Sequence, residues 1–93
     1  MSVNKHRLSF GEAEQLAIKA TAFITEDKSR LERFLALTGW TPEALKQDTG
    51  RTAFLAAALD HLAGDESLLL TFASNSGTDP TLVGHALRII ENS

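Results

Sequence analysis

Two stretches of this 93-residue chain, 38 positions apart, carry the same helical pattern. Asp27, Ser29, Leu31, Phe34, Gly39 and Pro42 return as Asp65, Ser67, Leu69, Phe72, Gly77 and Pro80. That is six identities in the sixteen positions from Asp27 to Pro42, where ordinary composition gives about one. The matched residues are those with structural jobs: a cap, a buried face, a stop and a restart. The repeat therefore constrains architecture, and nothing comparable constrains chemistry.

Helical signals fill the chain around it. Ser9 with Glu12 three residues on forms a capping box, in which the hydroxyl accepts from a first-turn amide and the carboxylate reaches back. Phe10, Ala13, Leu16, Ala17, Ala20, Phe23 and Ile24 follow at three- and four-residue spacing, which predicts an amphipathic helix to about Thr25. Asp27 caps a second helix with Leu31, Phe34, Leu35 and Thr38 inward, and Gly39 closes it. Thr41 and Pro42 open a short third helix that ends near Gln47 or Asp48. The segment Thr52 to Ala63, TAFLAAALDHLA, is apolar on nearly every side, which predicts a central helix enclosed by the others. Gly64 and Asp65 repeat the stop and start, giving a fifth helix to about Asn75 with Leu69, Phe72 and Ala73 inward. Gly77, Asp79 and Pro80 introduce a last helix striped by Leu82, Val83, Ala86, Leu87 and Ile90. No window alternates apolar and polar residues in the manner of a strand. The expected fold is all-α: a compact bundle of five to six short helices in two quasi-repeated three-helix halves. Residues 1–8 are expected to form a flexible N-terminal segment and 9–91 a single domain.

Composition excludes several function classes. The absence of cysteine removes disulfides, thiolate nucleophiles and thiolate metal sites. A net charge of −3, with nine basic residues dispersed among twelve acidic ones, disfavours steering by nucleic acid. Lys5, His6 and Arg7, and then Lys28, Arg30 and Arg33, form two small basic clusters that read as solvated surface. The opening MSVNKHRLSF has no apolar run of the secretory type, and no stretch approaches the ~20 apolar residues that span a bilayer.

Four strings, AEQLAIKATAFI, RLERFLALTGWTPEAL, FLAAALDHLAGDESLLLTFA and GTDPTLVGHAL, resemble a bacterial family catalogued as domain of unknown function 3572. The similarity covers about Glu12 to Leu87. It implies a compact helical domain in a bacterial cytoplasm, and it implies no reaction, ligand or catalytic residue.

The candidate working residues come from departures within the repeat. Trp40 directly follows a helix-ending glycine where the second copy has Thr78. It reads as a contact folding back on the preceding helix, or as an aromatic anchor for a partner. Leu68, Leu69 and Leu70 are consecutive, so one face cannot bury all three. Leu69 matches Leu31 and is expected inside. Leu68 and Leu70 replace Arg30 and Glu32, which marks them as an association patch unless another element covers them. Trp40, Leu68 and Leu70 are thus the candidate partner-binding residues. His61 and Asp65 stand four apart across Gly64, and two ligands do not make a metal site.

No phosphate loop, nucleophile elbow, zinc-protease or dinucleotide motif occurs. No catalytic, cofactor-binding or metal residue is therefore assigned. The expected function is a small cytoplasmic protein-interaction or adaptor module, non-catalytic and capable of forming a homodimer, with no membrane partner. The alternative is a divergent helix-turn-helix regulator. Ala73, Gly77, Val83 and Ala86 fit that pattern, but only His85 and Arg88 follow Pro80 as groups able to reach DNA.

Overall fold

The computed structural model describes residues 8–41, 43 and 52–92. These form an all-α bundle of five helices with no strand among the described residues: α1 (Phe10–Thr25), α2 (Lys28–Thr38), α3 (Thr52–Ala63), α4 (Glu66–Ser76) and α5 (Thr81–Glu91). The expected third helix, with Pro42, lies outside the described residues.

Local chemistry sets the ends. The Ser9 hydroxyl accepts from the Glu12 amide at 3.0 Å while the Glu12 carboxylate accepts from the Ser9 amide at 2.8 Å, completing the capping box of α1. Asp27 accepts from the amides of Ser29 and Arg30, and its repeat partner Asp65 from Leu68, so both copies start on an aspartate cap. Both stop on a left-handed glycine, Gly39 at φ 80° and Gly77 at φ 66°. Just before each stop a hydroxyl bonds back to the buried phenylalanine's carbonyl, Thr38 to Phe34 at 2.6 Å and Ser76 to Phe72 at 2.8 Å. At the entry to α5, Asp79 rather than Pro80 supplies the cap. Its carboxylate accepts from the Thr81 amide and hydroxyl, leaving Pro80 (φ −59°, ψ −26°) in the first helical position, where a missing amide costs nothing.

Because a Cβ at either glycine would meet nothing within 4 Å, Gly39→Ala and Gly77→Ala isolate the backbone term. Each is expected to destabilise by about 1 kcal/mol in urea unfolding. The double variant should lose close to the sum, since the two turns are independent. An unchanged midpoint in both singles would mean the left-handed turns do not persist in solution.

The core is one connected cluster in which Phe34, Ala58, Leu59, Leu62, Val83 and Ala86 are wholly inaccessible. Several expected positions differ, among them Leu31, Leu35, Leu82 and Leu87, which the bundle only half-buries. Phe10, assigned to the α1 stripe, is 44% exposed, since the first turn of α1 overhangs the bundle. Thr38 is exposed and spends its hydroxyl on the helix end. Leu69 is half-buried rather than enclosed. Leu8, placed with the flexible segment 1–8, is half-buried and packs on the core. Nor is α3 alone at the centre, because α1 also touches every other described helix.

The repeat extends further in space than in sequence. α1 ends at Thr25 and α3 at Ala63, again 38 residues apart. Leu16, Ala17, Ala20 and Ile24 are buried in α1, and the positions 38 later, Phe54, Leu55, Ala58 and Leu62, are buried in α3. The packing is reciprocal: α1 rests on α2 and α4, and α3 on α4 and α2. That exchange is the signature of an approximate two-fold rotation, a dyad, rather than of a linear stack. Two ring pairs obey it. Phe23 of α1 meets Phe72 of α4 edge-on at 5.4 Å, and at the equivalent positions His61 of α3 meets Phe34 of α2 edge-on at 5.1 Å. α5 packs mainly across α1 and α3.

Candidate functional site

The dyad runs through a cleft of about 440 Å³ between the N-terminal halves of α2 and α4, a volume within the usual range for ligand sites. Its lining pairs off by the repeat: Ser29 with Ser67, Arg30 with Leu68, and Arg33 with Thr71. His61 and Asp65 complete it. The two serines match, but the other pairs do not. One wall carries two guanidiniums, and the other a leucine and a threonine.

The two arginines are held differently. The Arg30 guanidinium lies over the Phe23 ring, 3.8 Å from its centroid, and donates to the Phe23 carbonyl at 2.8 Å and to Glu26 at 3.3 Å. It is thus a packed residue rather than the solvated one its sequence position suggested. Arg33 is held loosely. Its side chain is 66% exposed and its nearest carboxylate oxygen, on Asp65, is 3.9 Å away, beyond hydrogen-bond reach. Asp65 itself is engaged as the cap of α4.

His61 takes the place that Phe23 holds in the other half. As a whole it is half-buried, but its Nε2 is shut off from solvent and has no hydrogen-bond partner. Burial lowers its pKa below the ordinary 6.5; the Asp65 carboxylate opposes that, Arg33 adds to it, and Asp60 opposes it. The ring is therefore neutral at pH 7. His61 and Asp65 do line one cleft despite the helix break at Gly64, but the carboxylate is committed to the α4 cap. They do not form a poised acid–base pair. No group of three or more potential metal ligands occurs among the described residues.

The three expected contact residues are dispersed. Trp40 is half-buried, its ring edge-on to Phe54 at 5.2 Å, so it fastens the end of α2 to α3. Leu68 is half-buried in the apolar wall of the cleft. Leu70 points outward at 51% exposure. With Ser67, Thr71 and Ser74, all exposed, it forms one face of α4 at helical spacing, so it borders the cleft rim. Sequence reasoning did not assemble Ser29, Arg33, Ser67 and Thr71. The offset of 38 was the signal available, since residues matched across a dyad become neighbours when they lie near the axis.

A larger groove of about 540 Å³ separates α1 from the α4–α5 turn, but its Glu12 and Asp79 are both used as helix caps. No described helix is long and apolar enough to cross a membrane.

Comparison with known proteins adds a family. The model of a family described as "Protein of unknown function (DUF3572)" matches residues 11–93. No curated protein and no solved structure matches the chain.

Proposed function

The chain belongs to the DUF3572 family, and from the surfaces above we propose that it is a small protein-interaction module without catalytic activity. The observation that carries this reading is Leu70. Its repeat partner, Glu32, keeps the equivalent position of α2 charged, whereas α4 presents 51% of a leucine to solvent beside a cleft. About half of that residue's surface is left uncovered by the bundle. It gains free energy only when something covers it. The cap-engaged Asp65 and the stacked Arg30 support the non-catalytic part of the reading, because neither is available to move a proton.

A photo-crosslinking residue at position 70, introduced into the protein in its native host, tests this. The expected result is a discrete adduct with a second protein or a second copy of the chain. A folded protein that yields no adduct from position 70 would sink the proposal. The DNA reading has weaker support. α5 turns Val83, Ala86 and Ile90 into the core and exposes His85 and Arg88 beside Glu91, a single fixed cation opposed by a carboxylate.

A further inference from the structure

We propose that the cleft on the dyad receives an acidic, apolar-flanked segment of a partner protein, with a carboxylate on Arg33 and a neighbouring apolar side chain on Leu68. This rests on the interaction reading and names the chemistry of the partner.

The two walls differ in kind, so an occupant touching both must be two-sided. On the α2 wall Arg33 is the group with capacity to spare. Its guanidinium has five donors, it stands largely in solvent, and the Asp65 carboxylate that pairs with it at 3.9 Å is too far to hydrogen-bond. A planar fork of donors suits a carboxylate arriving in two-point contact. Arg30 is already engaged, stacked on Phe23, bonded to the Phe23 carbonyl and paired with Glu26, which leaves it little freedom to move. Glu26 pairs closely with Arg30 at 3.3 Å and Asp65 only loosely with Arg33 at 3.9 Å, so Arg33 is the cation of this wall least neutralised by its neighbours. Across the cleft Leu68 is half-buried, beside the exposed hydroxyls of Ser67 and Thr71. That wall takes hydrocarbon and offers no charge to a second carboxylate. The neutral His61 at the base adds none either. A free inorganic anion would use one wall and ignore the other; a peptide with an acidic residue beside a leucine uses both.

The test is a titration of the full chain, followed by backbone amide NMR shifts, with a capped pentapeptide of sequence Leu-Glu-Leu-Glu-Leu, its Leu-Gln-Leu-Gln-Leu isostere, and sodium phosphate. The Glu peptide is expected to shift amides of α2 and α4 around Ser29, Arg33, Ser67 and Thr71, with an affinity at least tenfold above that of the Gln peptide. Added salt should weaken it. Arg33→Glu should abolish the Glu-peptide shifts and transfer binding to a Leu-Lys-Leu-Lys-Leu peptide, a reversal that mere loss of structure cannot produce. Lys19→Glu, on α1, should leave binding unchanged.

Equal binding of the Glu and Gln peptides, or shifts from phosphate alone at the same residues, would overturn the proposal. So would absence of shifts in the cleft. If the adduct from position 70 forms nonetheless, the interaction reading survives and only the partner's chemistry is wrong.

Discussion

Replacing Phe34 by alanine is expected to remove about 3–5 kcal/mol of stability. The ring is wholly inaccessible and lies between two others, edge-on to Phe54 at 5.8 Å and to His61 at 5.1 Å. It is the principal buried side chain of α2, whose remaining apolar residues are half-buried or exposed. Its loss therefore weakens the attachment of a whole helix. For a domain of this size the thermal midpoint should fall by at least about 12 °C. Phe34→Leu, which keeps most of the volume, should cost less than half as much. If alanine lowers stability by no more than leucine, α2 is not anchored by this ring.

The second large effect has the opposite sign. His61→Phe is expected to stabilise the protein, because it replaces a ring whose buried Nε2 lacks a partner with the ring that the other half uses at the same place. An unsatisfied buried polar atom costs about 1–3 kcal/mol. A gain of about 1 kcal/mol is expected after allowance for imperfect fit. The reverse swap, Phe23→His, should be harmful, since it introduces the same orphan and removes the face on which Arg30 stacks.

The effect depends on pH. Burial holds the folded-state pKa of His61 below 6.5, the value it regains on unfolding. Between the two values the unfolded chain binds more protons, so stability rises with pH there. The contribution is complete above 6.5, is lost as pH falls through the window, and levels off below the folded-state pKa. His61→Phe should thus gain more over the natural protein at pH 5 than at pH 8, read by urea midpoints at both. A gain that is equal at the two pH values would mean that His61 titrates normally.

The parts of the fold written in local chemistry were legible in the sequence. Asp27, Asp65, Gly39, Gly77 and the Ser9–Glu12 box act through residues within one turn, so their jobs can be read from spacing alone. The correspondence of α1 with α3 was not legible, because within the matched span from Leu16 to Ile24 they share only Ala20 and Ala58. Burial tolerates Leu16 for Phe54 and Ala17 for Leu55, so that half of the repeat survives as a pattern of exposure. The cleft was hidden for a related reason. Arg30 and Leu68 look unrelated along the chain and become opposite walls only when the dyad brings them together. Trp40 shows the limit from the other side: the glycine before it predicted a contact folding back on the preceding helix, whereas the ring it meets, Phe54, belongs to α3.

A rotation axis makes each residue beside it face its own copy. For an uncharged side chain that is harmless, and Ser29 still faces Ser67 in both halves. For an arginine it is self-repulsion: a faithful repeat would set four guanidiniums in one narrow cleft. Leu68 and Thr71 relieve that, so the asymmetry at the axis has an electrostatic cause that needs no partner. Leu70, bordering the cleft rather than lining it, has no such excuse. Duplicated frames of this kind cannot stay identical where like charges would meet.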